Sequence, residues 1–394
     1  MQANGPMTER LQAAAQVAAQ DLTTWRRHLH MYPEISFAEH ETTAWLANRM
    51  EEWGISYTRP TPTGLVGEIT GNRPGKTVAI RADIDALPIA EANEFDFKSR
   101  NPGAMHACGH DGHTAILLGL SRFLAGNRDF PGRVKLLFQP AEERPPGGAQ
   151  QFINAGVLND VDACIGLHLM SDIPTGRAGI CDGPMMANSD GFTARIQGRG
   201  GHGASPHKTV DAVMVACHAV VNLQSIVSRK VDPTRPAVVT VGAIHAGTTF
   251  NVIADSAELK GTVRSFHTDL RQYLHDEVQR TLETTCAMYG ATVEFEYQWG
   301  YPACVNHPAI TAVMRQAAGA VLGDPAVFVV PKQMGGEDFA YYGLKVPAAF
   351  LFVGCQNPAV GAEWEHHHPR FTVDEAALPQ GMEILGRAAL TLLG

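Results

Sequence analysis

The chain has 394 residues, of which 45% are hydrophobic and 18% are charged, a composition that suits about two or three folded domains and excludes a largely disordered chain. Its formal net charge of −9 disfavours nucleic acids and anionic membranes as partners, because both attract basic surfaces. No continuous apolar run approaches the roughly 18 residues needed to cross a bilayer, so we expect no membrane partner.

The N-terminus and the cysteines indicate the cellular compartment of the protein. The first residues are rich in Ala and Gln and lack the basic start and compact apolar core of a secretory signal. The seven cysteines are scattered and odd in number, which argues against a disulfide framework. We therefore predict a reducing compartment, the cytoplasm.

Strands alternate with helices in the first half of the chain. The elements predicted there, in chain order, are helices over 8–30 and 37–52, a strand over 78–83, a helix over 110–125, a strand over 134–139, a helix over 148–155 and a strand over 162–169. This alternation predicts an α/β fold with a mostly parallel sheet and helices on both faces. The carboxyl ends of such strands are where polar functional groups gather.

The pattern changes near residue 184. The elements predicted beyond it are a strand over 192–200, a helix over 209–229, strands over 237–247 and 257–266, a helix over 268–289, strands over 292–299, 327–330 and 348–353, and a helix over 373–392. The order strand-helix-strand-strand-helix-strand predicts an inserted α+β domain of the ferredoxin-like kind, with one sheet and two helices. We expect the α/β domain to comprise 1–183 and 299–394, interrupted by the inserted domain over 184–298.

The densest polar signal is the segment MHACGHDGH, which contains Cys108 and His110. A thiolate and an imidazole two residues apart in a turn can bind one soft or borderline metal ion. A buried cysteine beside a helix-capping polar run is the structural alternative. A cysteine nucleophile with a histidine base is a chemical alternative, although two positions on one turn give that pair poor geometry.

Glu142 and Glu143 directly follow a predicted buried strand and precede the loop RPPGG, residues 144–148. Adjacent carboxylates at a strand end point in different directions, because side chains alternate. One can bind a metal ion while its neighbour takes a proton from water, which suits metal-assisted hydrolysis. The alternative is a pair of solvated loop charges.

Further histidines complete a possible ligand set. His168 ends an apolar predicted strand. The alternative to a metal ligand there is a core histidine with satisfied hydrogen bonds. Residues 366–368 are three consecutive histidines. The candidate ligands are Cys108, His110, Glu143, His168 and one histidine of 366–368. Two metal ions that share a bridging thiolate would need about this number of ligands, with positions left for water and substrate.

Several motifs occur in a fixed order along nearly the whole chain. They are RADIDALP (81–88), MHACGHDGH (105–113), LFQPAEE (137–143), GLHL (166–169), GRGGHGASPH (198–207), GGEDFAYY (335–342) and HHPRF (367–371). The set resembles the family of metal-dependent aminoacylases and carboxypeptidases. Within that family, it is most similar to the branch of hippurate hydrolase and the plant indoleacetyl-amino-acid hydrolases.

The resemblance implies a centre of two divalent metal ions bridged by Cys108. The other implied ligands are His110, Glu143, His168 and His367. His367 is preferred to His366 and His368, because the last ligand in the family stands two residues before a proline, here Pro369. A thiolate with imidazoles favours Zn, Co or Ni, whereas this branch is often described with Mn.

The resemblance also implies roles in catalysis. Glu142 would be the general base and then the proton donor to the leaving amine, and Asp85 would be the carboxylate that orients a metal ligand. His202, in the inserted domain, resembles a histidine that stabilises the tetrahedral oxyanion, often across a dimer interface. Asn251 and Arg264 resemble residues that contact the substrate carboxylate, and Arg suits bidentate carboxylate binding.

These interpretations predict a dinuclear metal-dependent amidohydrolase. It would cleave hippurate-like N-acyl or N-aroyl amino acids into a carboxylic acid and a free amino acid. An N-acetyl amino-acid deacetylase or a dipeptidase would use the same chemistry, and the size of the pocket would decide between them. A thiol protease and a non-catalytic, metal-stabilised binding protein are the alternatives from other classes.

Two further expectations concern partners and specificity. The inserted domain is a candidate dimerisation surface, so we expect a homo-oligomer, a dimer or a tetramer, that acts on a small molecule and not on nucleic acid. The loop 144–148 is bulkier and richer in proline than the small glycine-rich loop expected for this family. Because the loop lies beside Glu143, we expect it to affect which acyl groups fit.

Overall fold

The structure, a computed structural model, describes residues 5–394 and divides them into two compact units. The first unit comprises the residues up to Met185 together with Val305–Pro331 and Asp338–Gly394, and the second comprises Met186–Cys304 and Lys332–Glu337. The second unit thus begins and ends a few residues later than the 184–298 expected from the sequence, and it also takes in Lys332–Glu337, which the sequence did not indicate.

The described helices and strands follow one another along the chain. The α-helices are α1 (Gly5–Met31), α2 (His40–Glu52), α3 (His110–Gly126), α4 (Gly148–Asn154), α5 (Ala212–Ser225), α6 (Thr268–Met288), α7 (Pro308–Leu322), α8 (Ala340–Gly343) and α9 (Ala377–Leu393). The strands are β1 (Ser56–Thr58), β2 (Leu65–Thr70), β3 (Arg73–Asp83), β4 (Pro131–Gln139), β5 (Ala163–Pro174), β6 (Ala178–Gly179), β7 (Gly183–Met186), β8 (Asp190–Gln197), β9 (Gly201–His202), β10 (Ala237–Ala246), β11 (Val252–Ile253), β12 (Ser256–Ser265), β13 (Thr292–Gln298), β14 (Cys304–Asn306), β15 (Val327–Phe328) and β16 (Ala348–Gln356).

The first unit is built on a mixed sheet with the strand order β1-β2-β4-β3-β5-β16-β6-β15. The central pairs β4–β3, β3–β5 and β5–β16 are parallel, as is β6–β15. The pairs β1–β2, β2–β4 and β16–β6 are antiparallel. The predicted α/β class with a mostly parallel sheet is therefore confirmed.

Both faces of this sheet are covered. Along β16, Leu351 and Val353 belong to the hydrophobic core that α1, α3 and α9 share. The preceding residue, Phe350, points the other way and stacks on Phe339, beside α8, with ring centroids 4.7 Å apart. Two-sided burial explains why the central strands read as continuous apolar runs instead of alternating patterns.

The second unit contains an antiparallel sheet with the strand order β10-β12-β8-β13. The chain passes through it as β8-α5-β10-β12-α6-β13, which is the ferredoxin-like order expected from the sequence. Along β8, Phe192, Ala194 and Ile196 point into the core formed with α5 and α6. Arg195 alternates with them and pairs with Glu296 on the opposite, solvated face.

One helical segment of the described chain, Ala212–Lys230, is long and apolar enough to span a bilayer by length and composition. We expected no continuous apolar run of this length, and polar residues such as His218 and Asn222 do interrupt this segment. The segment combines α5 with the π-helical turn Ile226–Lys230. A third of it is buried, and its inner face packs on the sheet of the second unit. Core helices of soluble proteins can meet the same criterion, so the finding is weak evidence for a membrane span.

Candidate metal centre

Polar side chains lie at or after the carboxyl ends of neighbouring strands of the first sheet. Asp83 is the last residue of β3, and Glu142 comes soon after the end of β4 at Gln139. His168 lies within β5, which continues to Pro174 and so does not end at His168 as expected. Because β3, β4 and β5 are adjacent, the fold brings these groups together at one edge of the sheet.

Cys108 and His168 face each other from the loop before α3 and from β5. The Cys108 Sγ lies 3.5 Å from the Nε2 atom of His168. The Nδ1–H group of His168 donates to the carbonyl of Leu169 at 2.8 Å, which leaves the Nε2 lone pair directed at the thiol. Burial and then the neighbouring His113 hold the pKa of His168 well below its usual range, so the imidazole is neutral and can bind a cation.

His110 opens α3 with one ring nitrogen engaged and the other unpaired. Its Nδ1–H group donates to the backbone carbonyl of Asp85 at 2.9 Å. Its Nε2 atom is buried and has no hydrogen-bond partner among the described residues. This nitrogen lies 3.5 Å from the Asp83 Oδ2 and 3.9 Å from the Glu143 Oε1. A buried, unpaired nitrogen that faces carboxylates is the arrangement expected of a metal ligand.

The three consecutive histidines have different surroundings. The His367 Nε2 lies 3.3 Å from the Glu143 Oε1. His366 also lies near Cys108, but its Nε2–H group donates to the Leu169 carbonyl at 2.8 Å, and its Nδ1 lies 3.0 Å from the hydroxyl of Ser171. In His368, the ring stacks on Trp364 and the Nδ1 accepts the backbone N–H of Arg370.

The potential at the site is strongly negative. Burial alone would lower the pKa of His110, but Asp83, and then Asp85 and Glu143, raise it to about 10. Burial, and then Glu143 and Glu142, raise the pKa of the Cys108 thiol well above its ordinary value. A cysteine nucleophile needs a lowered pKa, so this environment does not favour the thiol protease. Bound cations would balance the charge and stabilise the thiolate.

The predicted ligand set converges in the first unit. Ligand atoms of Cys108, Glu143 and His367 lie within 4.8 Å of one another, and so do those of His110, Glu142 and Glu143. Thiolate, imidazole and carboxylate together suit divalent ions of borderline softness. These donor atoms, which include the unpaired Nε2 of His110, therefore fit a metal centre. Cys108 and Glu143 lie between the other candidate ligands of that centre.

Asp85 contacts more groups than the sequence suggested. Its Oδ1 and Oδ2 accept the backbone N–H groups of Glu142 and Glu143, both at 3.0 Å, and its Oδ2 also accepts the hydroxyl of Ser36 at 2.7 Å. Burial opposes its ionisation, but the hydrogen bond with His110 and the other bonds lower its pKa. Asp85 thus positions the turn with both glutamates as well as His110.

Sequence reasoning missed the role of His113. Its Nδ1–H group donates to the Asp83 Oδ1 at 2.6 Å, and its Nε2 accepts the backbone N–H of Leu169 at 2.8 Å, next to His168. Arg81 donates to the same Asp83 at 2.8 Å. The spacing of His110 and His113 by three residues, which places both on one face of α3, was the signal that could have identified this support.

The remaining predicted residues, His202, Asn251 and Arg264, lie in the second unit. His202 pairs with Val252 across β9 and β11, and the carbonyl of Asn251 accepts the backbone N–H of Gly203 at 2.8 Å. His202 and Asn251 therefore share one exposed corner. Arg264 lies on β12, where its Nε donates to the Thr262 hydroxyl at 3.1 Å and its side chain is half-buried.

Comparison with known proteins places the chain in a family. The sequence profile of peptidase family M20/M25/M40 matches residues 79–391. An N-acyl-L-amino acid amidohydrolase from Geobacillus stearothermophilus is 45% identical over 310 residues, which cover 76% of this chain and 84% of that protein. The IAA-amino acid hydrolase ILR1-like 4 from Arabidopsis thaliana is 40% identical over 366 residues, 91% of this chain and 82% of that protein. The crystal structure of a dinuclear metal binding peptidase of the M20 family from Bacillus subtilis matches with a TM-score of 0.84 and 37% identity, over 96% of this chain and 99% of that one. The chain therefore belongs to peptidase family M20/M25/M40 and is a metal-dependent amidohydrolase.

Proposed function

We propose that this chain hydrolyses the amide bond of N-acyl or N-aroyl amino acids, including hippurate-like compounds, and releases a carboxylic acid and a free amino acid. The observation that carries the proposal is the convergence of the five candidate ligands beside a second carboxylate, that of Glu142. The names of the relatives, an N-acyl-L-amino acid amidohydrolase and an IAA-amino acid hydrolase, support this substrate class.

Five side chains would hold two divalent metal ions. They are Cys108, His110, Glu143, His168 and His367. The bound ions would supply Lewis acidity that lowers the pKa of a water molecule and polarises the amide carbonyl. The matched Bacillus subtilis structure is described as a dinuclear metal binding peptidase, which supports two ions rather than one. The donor set suits Zn, Co, Ni or Mn.

Glu142 and the second unit would act on the substrate. The buried carboxylate of Glu142 takes a proton from the attacking water and delivers it to the departing amide nitrogen. His202 stabilises the oxyanion that forms on the carbonyl oxygen. Asn251 and Arg264 bind the carboxylate of the amino-acid part, for which the planar guanidinium is well suited. Arg144, Pro145 and Pro146 are exposed next to Glu143, and we propose that this loop limits the acyl group.

The test combines metal stoichiometry with a substrate panel. Protein that has been dialysed against a chelator is reloaded separately with Zn, Co, Ni and Mn, and its activity is measured with hippurate, N-acetyl amino acids and plain dipeptides. We expect activity to vanish with the metal, to return with close to two ions per chain, and to be greatest on hippurate among the three substrate types. A preference for N-acetyl amino acids or for dipeptides would select the deacetylase or dipeptidase instead.

The Glu142→Ala variant is the matched control for this experiment. We expect it to keep the metal content of the wild type and to lose turnover by about 10²–10⁴-fold, because only the proton-transfer group has been removed. Turnover like that of the wild type in this variant would remove Glu142 from the mechanism. Fully metal-loaded wild type that binds the panel without cleaving it would support a binding protein instead.

We also propose a homo-oligomer in a reducing compartment. The outer face of α5 exposes Val213, Met214 and Val221, with exposed fractions of 38%, 40% and 67%, and a second copy of the chain would cover this apolar face. The seven cysteines are all free thiols, as expected for the cytoplasm. A reducing compartment would also protect Cys108 from oxidation.

A further inference from the structure

The turn that carries the two glutamates is held by carboxylates from elsewhere in the first unit. Asp85 accepts the backbone N–H groups of Glu142 and Glu143. The preceding N–H group, that of Ala141, is accepted by the Glu39 Oε1 at 2.8 Å. Three consecutive backbone N–H groups are therefore fixed by two acidic side chains, and the second of these, Glu39, has no role in the proposed reaction.

Ala141 has a backbone conformation that needs such support. Its φ is +53°, in the left-handed region, which is strained for a residue that carries a Cβ. Strained conformations of this kind persist only where the surrounding structure holds them. Because Glu142 and Glu143 follow directly, relaxation of Ala141 to an ordinary conformation would redirect both of their side chains.

The surroundings of Glu39 show that its side chain is used for this contact. Glu39 is fully buried, and burial followed by the nearby Asp85 raises its pKa to about 7. It stands at the N-cap position of α2, but its side chain makes no capping hydrogen bond to that helix. A buried carboxyl group is costly unless it is hydrogen-bonded, and the N–H group of Ala141 meets part of that need by donating to Oε1. The other oxygen, Oε2, is buried without a hydrogen-bond partner among the described residues.

A second contact from the same segment acts on the same turn. The Ser36 hydroxyl donates to the Asp85 Oδ2 at 2.7 Å, and this carboxylate in turn holds Glu142 and Glu143. Phe37, between Ser36 and Glu39, also has a positive φ of +69°. The segment 36–39 thus supports the two-glutamate turn at two points.

We propose that Glu39 is a positioning residue. Its carboxyl group holds Ala141 in the left-handed conformation and thereby keeps Glu142 and Glu143 pointing in separate directions. The inference rests on the proposed function, in which Glu142 transfers protons while Glu143 binds metal.

The kinetic test compares Glu39→Met, which preserves side-chain size but removes the acceptor, with Glu39→Gln, which keeps an acceptor oxygen. For Glu39→Met we expect kcat to fall about 100-fold, a loss typical of a catalytic group displaced by about 1 Å, with KM close to that of the wild type. We also expect weaker metal binding, because Glu143 moves together with Glu142. We expect Glu39→Gln to retain kcat within a few-fold. Equal kcat values in the two variants, or a loss of metal in both, would overturn the proposal.

A second measurement needs no substrate. Hydrogen–deuterium exchange is measured on the peptide that contains Ala141, Glu142 and Glu143, in the wild type and in both Glu39 variants. We expect faster exchange there in Glu39→Met and nearly normal exchange in Glu39→Gln. Unchanged exchange in Glu39→Met would overturn the proposal about Glu39, whether or not the enzyme is active. Failure of the enzyme to hydrolyse any of the substrates would refute only the proposed function.

The matched control is Glu34→Met. Glu34 accepts the backbone N–H groups of Glu41 and Thr42 at the start of α2 but makes no hydrogen bond to Ala141. We expect this variant to change exchange in α2 and to leave both kcat and the exchange of Ala141 unaltered. If Glu34→Met loosened the Ala141 peptide as much as Glu39→Met does, the effect would come from α2, and the proposal would fail.

Discussion

At the scale of single residues, His367 combines a strained backbone with a short contact to the site. Its φ is +65°, and its backbone N–H group donates to the carbonyl of Ala107 at 2.8 Å, which fixes it beside the Cys108 loop. By contrast, the ring of the next residue, His368, stacks on Trp364. Strain of this kind collects at functional sites, where the surrounding contacts maintain it.

We therefore expect His367→Ala and His368→Ala to differ. The first should lower the metal content of dialysed protein and reduce activity at limiting metal by 10-fold or more, because one ligand has been removed. The second should resemble the wild type on both counts. Metal titration with stoichiometry measured after dialysis tests this. Equal metal loss in the two variants, or loss only in His368→Ala, would remove His367 from the ligand set.

The candidate ligands differ in how far local sequence could predict them. Cys108 and His110 are close in sequence, so their spacing alone suggested a site. The choice among the three histidines came from a family pattern, since nothing in the run itself distinguishes them. The contact of Glu39 with Ala141 could not be predicted, because it joins positions 102 residues apart in sequence. The spacing of His113 from His110 indicated a shared face of α3, but not its partner Asp83, which lies 30 residues away.

At the scale of elements, an acidic residue on α6 forms an ion pair with the turn after α5. Glu277, on α6, pairs with Lys230 at 2.7 Å, at the end of the π-helical turn, and with Arg280 at 2.7 Å within its own helix. Arg280, and then Lys230, lower the pKa of Glu277 to about 2 against the opposing effect of burial. The ionised carboxylate therefore stabilises the fold.

We expect Glu277→Gln to lower the free energy of unfolding at pH 7 by on the order of 1 kcal/mol. Because the folded pKa is depressed, this stabilisation is full above the unfolded value of about 4.3 and is lost as pH falls towards 2. Urea unfolding of wild type and variant between pH 7 and pH 3 tests this. Glu283→Gln, on the exposed surface of α6, is the control that should change little. A difference independent of pH would contradict the ion-pair account.

Elements with clear local patterns were predicted better than those defined by distant contacts. The helix α7 (Pro308–Leu322) was missed, although Pro at its first turn is a known start signal, because its Ala-rich sequence lacks a clear polar face. The strand β2 was also missed, since it belongs to the sheet through antiparallel pairing with β4, which local sequence does not encode.

At the scale of the whole molecule, the proposed oligomer depends on the outer face of α5. A helix with apolar residues on both its inner and outer faces favours a partner, because the outer residues otherwise remain in water. The inner face already packs in the core of the second unit, through Val215, Ala219 and Leu223. The outer face, which includes Val221, is the part left to a second copy of the chain.

We expect Val221→Glu to convert the oligomer into a monomer, because a buried, unpaired carboxylate at the interface would cost several kcal/mol. Sedimentation velocity over a range of protein concentrations measures the change. Val17→Glu is the matched control, since Val17 is 82% exposed on α1, and it should keep the oligomeric state of the wild type.

If His202 acts across the interface, the Val221→Glu monomer should bind metal normally and lose most of its activity. A fully active monomer would show that His202 works within its own chain or not at all, and the oligomer would then have no catalytic role.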